Sequence, residues 1–449
     1  MEFQTLILAG GRGTRINKLL HGKPKCLLKI AQKPMIQYPL ELLIRHRIKK
    51  SMIIVQDNEK DQIKQAIDKM KLESSIDIEY VCIPHSEDYG TAETLRFIRN
   101  KLNKSMDILI LTCDLITDFD LERMLKLFKI KKCSIISLSS ATNPGRKFST
   151  PASKLENNKD FQNLINFNFK PKCMLEEIDY IGLDKNDDLR MILFNPDTMH
   201  SDSIALKRSL LKRCSNFVLH SDLHDCHVYI LRYWLLDYLD YETDIRSIKL
   251  DLLPSIVRKQ FRTFRVPKQV DHLNNDMEQS MIKMKKNLFD FIKISETERF
   301  INRIELIDQE SNFYPQSSVQ CYTILADSKY CLRVNSMLRF CQASRILMEE
   351  SQNCQMVGHN SIVSDSASLR HTLIGSNCRI GDKVTMINCI LQDDVVVESE
   401  CSFVDSLICS ESLIGTKTTL ENCIIGFKQI VSPESRYKNE FFHEDTLEF

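Results

Sequence analysis

Four short runs recur every seventeen residues near the end of the chain: His371-Thr372-Leu373-Ile374, Asn388-Cys389-Ile390-Leu391, Asp405-Ser406-Leu407-Ile408 and Asn422-Cys423-Ile424-Ile425. Within a turn the apolar positions follow at six, six and five residues, as in Ile374, Ile380, Met386 and Leu391. Val397, Phe403 and Ile408 continue the series, and Ile414, Leu420 and Ile425 follow them. Gly375, Gly381, Gly415 and Gly426 each stand just after an inward position. Three short strands per turn make a hexapeptide β-helix, because one turn cannot bury its apolar face alone and must stack on its neighbours. An amphipathic helix would need a 3.6-residue period, which this stretch lacks. The repeats are expected over 357–431, with a tail over 432–449. Cys389 and Cys423 occupy equivalent positions two turns apart, so packing explains them better than chemistry.

The first half has a different rhythm. Phe3 to Leu8, Met52 to Val55, Ile76 to Ile83, Asp107 to Thr112 and Ser134 to Leu138 read as buried strands. Helical patterns from Met35 to Arg47, Glu59 to Lys71 and Thr91 to Leu102 separate them. Such alternation predicts a mostly parallel sheet covered by helices on both faces, with ligands at the carboxyl ends of the strands. Asn143 to Asn168 is polar and reads as a surface excursion. Regular structure resumes near Asp179, and this domain, 1–261, is expected to end with a helix around Ser247 to Phe261. A linker and connecting segment follows over 262–356. Its start, Arg262 to Asn287, is poor in large apolar groups. A second pairing unit is expected at Val319 to Leu325 and Tyr330 to Val334, then a helix from Ser336 to Met348.

A hydrophobic fraction of 43% with 27% charged residues suits folded domains, and 449 residues suit two or three of them. A net charge of +1 argues against a chain that coats nucleic acid. The 16 cysteines form no C-x-x-C pair and read as small buried hydrophobes in a reducing compartment. The short apolar run Thr5 to Ala9 is no signal sequence, and no apolar stretch approaches the roughly 18–20 residues of a membrane span. The expected location is the cytosol.

Directly after the first strand comes Leu8-Ala9-Gly10-Gly11-Arg12-Gly13-Thr14-Arg15, followed by Pro24-Lys25-Cys26-Leu27-Leu28. Glycines at a strand-to-loop junction let backbone N–H groups cradle phosphate oxygens, while Arg15 and Lys25 can neutralise them. The pattern is neither a Walker loop nor a dinucleotide fingerprint. This segment resembles the signature of sugar-nucleotide pyrophosphorylases. The resemblance extends to Gly90-Thr91-Ala92, which is similar to that family's base-binding turn, and to Asp114, which is similar to its metal-holding aspartate. It implies a nucleotide site at Gly10, Gly11, Gly13, Thr14, Arg15, Lys25, Gly90 and Thr91, with a metal at Asp114, all retained from an enzyme ancestor. The sugar side departs from the pattern: an Asn-x-Gly turn is replaced by Asp225-Cys226-His227-Val228-Tyr229, and Asp222 and Asp225 are only candidates for a second carboxylate.

The string His220, Asp222, His224, Asp225, His227 suggests a metal cluster, but strand alternation would divide it between two faces, and zinc is not expected there. Arg258-Lys259-Gln260-Phe261-Arg262-Thr263-Phe264-Arg265 could read single-stranded nucleic acid. A solvated helix end explains it better, given the balanced charge.

Longer stretches resemble one branch of this nucleotidyltransferase-like, hexapeptide-repeat family. They include Asp88-Tyr89-Gly90-Thr91-Ala92-Glu93-Thr94-Leu95-Arg96, Cys113-Asp114-Leu115-Ile116-Thr117-Asp118, Asp179-Tyr180-Ile181-Gly182-Leu183-Asp184 and Leu253-Pro254-Ser255-Ile256-Val257-Arg258-Lys259-Gln260-Phe261. The branch is the gamma subunits of eukaryotic translation initiation factor 2B. The fold class implied is α/β, a nucleotidyltransferase-like (Rossmann-like) mixed sheet domain followed by a C-terminal left-handed parallel β-helix. The resemblance also implies a complex that reloads initiation factor 2 by exchanging GDP for GTP. Its partners would be a homologous epsilon subunit, bound directly, and alpha, beta and delta subunits. The epsilon subunit carries exchange on a domain after its β-helix, and Val431 to Phe449 is too short for one, so no independent exchange catalysis is expected. No cofactor is required under this reading, and Mg²⁺ is expected only in the company of a nucleotide. The rival expectation is an active nucleotide-sugar pyrophosphorylase of the mannose-1-phosphate guanylyltransferase kind, and a third is an inactive regulatory partner of such an enzyme.

Overall fold

The computed structural model describes residues 3–20, 22–72, 75–141, 178–187, 189–196, 206, 208–214, 216–261, 288–291, 319–351 and 355–442. The excursion expected over 143–168 and the linker stretch 262–287 lie outside them. The strands of the first half are β1 (Phe3–Leu8), β2 (Lys29–Ile30), β3 (Lys33–Pro34), β4 (Lys50–Gln56), β5 (Asp77–Ile83), β6 (Asp107–Thr112), β7 (Leu115–Thr117), β8 (Ile135–Ala141), β9 (Asp179–Asp184), β10 (Met191–Asn195) and β11 (Phe217–Leu231). Two more follow in the connecting segment, β12 (Cys321–Leu325) and β13 (Cys331–Arg333). The helices that cross between the early strands are α1 (Asn17–Leu20), α2 (Gln37–Arg45), α3 (Lys60–Lys69), α4 (Thr91–Ile98) and α5 (Leu121–Ile130).

The main sheet runs β10-β9-β11-β6-β1-β4-β5, with β8 beside β11 and β12 beside β8. The pairings among β6, β1, β4 and β5 are parallel, and β11 runs antiparallel to β6, so the sheet is mixed as expected. Alternation divides its side chains between two cores. Leu6, Ile54, Val81 and Ile110 pack with Ala92, Leu95 and Ile98 of α4, while Ile7, Ile53, Leu109 and Leu111 pack with Leu40, Ile63 and Phe128 from the opposite helices. Burial on both faces is why these strands read as continuous apolar runs.

The two strands of the connecting segment do not pair with each other, contrary to the expected unit. β12 adds in parallel to β8, with Thr323 beside Ser137, and β13 pairs antiparallel with β7, with Arg333 beside Leu115. β12 thereby covers an edge of the sheet whose N–H and C=O groups need partners. After β13 comes the helix Met337–Glu350, capped by Ser336 Oγ, which accepts from Arg339 N–H at 3.3 Å. It packs in one cluster with Ile16, Leu19, Leu20 and Met35 of the first domain and with Leu373, Ile390, Leu407 and Ile424 of the repeats. The connecting segment therefore belongs to both neighbours.

The repeats form a left-handed parallel β-helix of three sheets. Residues pair seventeen apart, as in Leu373, Ile390, Leu407 and Ile424. The corners fall at Asn388, Asp394, Glu400, Asp405, Glu411, Lys417 and Asn422, all with positive φ, in the same six-six-five spacing. Ile374, Leu391, Ile408 and Ile425 line the interior. The ladder does not stop at Val431, the last residue expected in the repeats. Strands Arg436–Lys438 and Phe441–Phe442 continue it, paired with Thr419–Glu421 and Ile424–Ile425. Tyr437 and Phe442 keep the spacing but are aromatic, with ring centroids 4.5 Å apart, so a search for aliphatic repeats passes over them. Among the described residues no helix is long and apolar enough to cross a membrane.

Candidate functional site

β1 ends where the glycine-rich loop begins, and hydrogen bonds to both neighbouring strands fix that exit. Ala9 N donates to Ile54 O at 2.8 Å and Cys113 N donates to Leu8 O at 3.1 Å, so the loop and Asp114 emerge side by side at the carboxyl ends of β1 and β6. Gly13 has φ +64°, which favours glycine, and a Cβ there would also displace the Leu20 Cδ1 methyl, 2.6 Å away. Gln56 Nε2 donates to Gly10 O at 2.9 Å, and Arg12 donates to His85 O at 3.1 Å. Gly11, Thr14 and Arg15 are exposed. This is an open concave strand-to-helix turn with cations at its rim, chemistry suited to a phosphate.

The structure brings Lys25 to Asp114, as the sequence reading placed both in one site. Lys25 Nζ is ion-paired with Asp114 Oδ2. A second cation was not foreseen: Arg333 Nε lies 3.3 Å from the same oxygen. Burial alone pushes the Asp114 carboxyl up, but Lys25 and Arg333 outweigh it and hold it well below the usual carboxylate range. Arg333 also donates through Nη1 to His227 Nε2 at 2.9 Å. A guanidinium has no acceptor, so the neutral His227 carries its proton on Nδ1. Burial, then the charges of Arg333 and Lys249, keep that imidazole well below its ordinary range.

Behind this pair lies a second buried set. Asp225 N donates to Asp179 Oδ2 at 3.2 Å, Lys249 Nζ pairs with Asp179 at 2.9 Å, and Tyr229 Oη donates to Asp225 Oδ2. Burial pushes the Asp225 carboxyl up to about 7, against the pull of Lys249 and the Tyr229 hydroxyl. The altered sugar-side turn is thus an interior network, shaped by a register shift in β11 between Asp225 and Tyr229 and a positive φ of 54° at His227. Asp222 lies apart, 3.5 Å from His220 and partly exposed. Among the described residues no three or more His, Cys, Asp or Glu side chains are arranged to hold a metal.

These residues do not fit a resident divalent cation at Asp114. One carboxylate oxygen already carries two cations, Lys25 and Arg333. The second candidate carboxyl, Asp225, already accepts from the Tyr229 hydroxyl, and His227 Nε2 stands 3.7 Å from the same oxygen.

Gly90 and Thr91 form a tight junction with Arg246–Ile248. A Cβ at Gly90 would lie 2.2 Å from Arg246 O, and that carbonyl accepts from Ala92 N at 2.9 Å and Glu93 N at 3.3 Å. Thr91 Oγ1 accepts from Ile248 N at 2.8 Å. Donors at the start of α4 are therefore used inside the protein. Arg258 donates to Pro254 O at 3.1 Å on its own helix. Sequence reasoning passed over Arg333, Lys249 and Asp179. For the two cations the available signal was a single charge inside an apolar run, Cys331-Leu332-Arg333-Val334 and Ile248-Lys249-Leu250.

Comparison with known proteins divides the chain as the fold does. Residues 4–150 match the nucleotidyl transferase family model, and residues 342–436 match the model of the EIF2B subunit epsilon LbH domain. A translation initiation factor eIF2B subunit gamma from Caenorhabditis elegans is 30% identical over 262 residues, 58% of this chain and 59% of that protein. The protein of the same name from Dictyostelium discoideum is 22% identical over 406 residues, 86% of this chain and 84% of the relative. A putative mannose-1-phosphate guanyltransferase from Sulfolobus acidocaldarius is 28% identical over 145 residues, 31% of this chain and 38% of that protein.

Proposed function

We propose, because the chain is similar to eIF2B gamma subunits in both its domains, that it is a non-catalytic subunit of translation initiation factor 2B, the complex that reloads initiation factor 2 by exchanging its GDP for GTP. Its direct partner in this reading is an epsilon-subunit homologue, with alpha, beta and delta subunits in the same cytosolic assembly. The observation that carries the non-catalytic part is the state of Asp114. Nucleotidyl transfer needs a cation free to bridge the phosphates, and here the carboxylate is spent on Lys25 and Arg333. The test is incubation of the purified chain with GTP or UTP, Mg²⁺ and common sugar 1-phosphates. No pyrophosphate release is expected. Turnover at an ordinary enzymatic rate of about 1–1000 per second would favour a guanylyltransferase instead.

Nucleotide binding without turnover is part of the same proposal. The exposed turn over Gly10, Gly11, Gly13, Thr14 and Arg15 offers backbone donors and a guanidinium to a phosphate, and Mg²⁺ would arrive with the nucleotide, held by its phosphates. Calorimetry with GTP and ATP checks it. Arg15→Ala should weaken binding by about 1.5–3 kcal/mol, the worth of a charge-assisted hydrogen bond. Undetectable binding at millimolar nucleotide would leave the loop as ancestry alone.

A further inference from the structure

We propose that Arg333 is a built-in replacement for a divalent cation: its guanidinium joins Asp114 to His227, which stands beside Asp225, a candidate for the second carboxyl. Nε lies 3.3 Å from Asp114 Oδ2, Nη1 lies 2.9 Å from His227 Nε2, and that imidazole nitrogen lies 3.7 Å from Asp225 Oδ2. With Lys25 on the same Asp114 oxygen, a dication entering there would meet two fixed positive charges across a few ångströms of protein interior. The planar fork of an arginine suits such bridging better than a lysine, because it reaches two partners in fixed directions.

The chain delivers this arginine with some care. Arg333 ends β13, which pairs with β7 immediately after Asp114, and Val334 N donates to Asp114 O at 2.8 Å. Backbone and side chain of the connecting segment thus both hold Asp114. Four residues after Arg333 begins the helix that packs against the β-helix. Arg333 and the helix that packs between the two domains thus belong to one short stretch of chain. The inference deepens the non-catalytic reading and does not depend on which partners the chain has.

The experiment is a Mn²⁺ titration of the full-length protein, read by electron paramagnetic resonance, with no nucleotide present. The wild type should show no specific site, and Asp114→Asn should titrate as the wild type does. Arg333→Ala should gain a site about tenfold or more tighter, since a charge within ~4 Å is removed, and the double variant Arg333→Ala/Asp114→Asn should lose it. If the alanine variant does not fold, Arg333→Met keeps the aliphatic bulk and takes its place. A wild-type Mn²⁺ site that disappears in Asp114→Asn overturns the inference, as does a folded Arg333→Met or Arg333→Ala protein with no gain. Neither result touches the assignment to an initiation-factor complex, which copurification decides.

Discussion

Asp225 is surrounded by Tyr229, His227, Asp179, Lys249 and Arg333, and its burial gives it a distinctive dependence on pH. Its folded pKa is raised to about 7 from the ordinary aspartate range near ~4, so over that window the folded chain holds a proton that the unfolded chain has lost. Its contribution is greatest at low pH and declines as pH rises towards 7. His227 works the other way: kept neutral when folded, it opposes folding below its unfolded pKa of about 6.5 and ceases to do so above it. The two slopes oppose each other, so a variant isolates the first. Asp225→Asn should gain stability relative to the wild type as pH rises from about 4 to about 8 in a series of urea denaturations. A stability difference independent of pH would show that Asp225 is ionised in the fold throughout. The residue scale is also where sequence reasoning was least complete. Asp114 was legible at the end of a recognisable strand and Lys25 in the run that follows the glycine-rich loop, whereas Arg333 reaches the site from a distant part of the chain. Nothing local announces that meeting.

At the scale of elements, the repeats were the most legible part of the chain. A six-six-five spacing constrains every turn, and the positive-φ corners at Asn388, Asp394 and Glu400 follow from it once three flat strands must close a turn. Replacing Leu391 or Ile408 by Asp would put an unpaired carboxylate into the stacked core, at a cost on the order of several kcal/mol. Circular dichroism melting should show a large drop in the midpoint, and an unchanged midpoint would contradict the interior placement. The domain strands were legible for a similar reason, since burial on both faces leaves continuous apolar runs. Their partners were not: β12 carries no mark in its own residues that it joins β8. A local signal does work at helix starts. Asp120 accepts from Glu122 N at 2.9 Å at the head of α5, and His46 Nε2 lies 3.0 Å from it. Asp120→Ala should cost about 1 kcal/mol in chemical denaturation, as loss of an N-cap does. A neutral substitution would mean the cap is replaced by water.

Across the whole molecule, the connecting segment makes one structure of two repeating architectures. Its strand β12 widens the main sheet, β13 carries Arg333 to Asp114, and its helix is covered by the first domain on one side and the repeats on the other. Arg345 donates to Asn388 O at 3.1 Å, and Lys29 of the first domain pairs with Asp393 at 2.9 Å. A β-helix held this way keeps flat faces that other chains can cover. The claim that joins these observations is that the molecule is an assembly subunit whose ancestral catalytic position is closed by its own charges. Its most direct test is the subunit composition of the native complex purified through this chain and read by mass spectrometry. Recovery of an epsilon homologue with alpha, beta and delta subunits and initiation factor 2 is the predicted result; recovery of this chain alone, as a homo-oligomer, would contradict it.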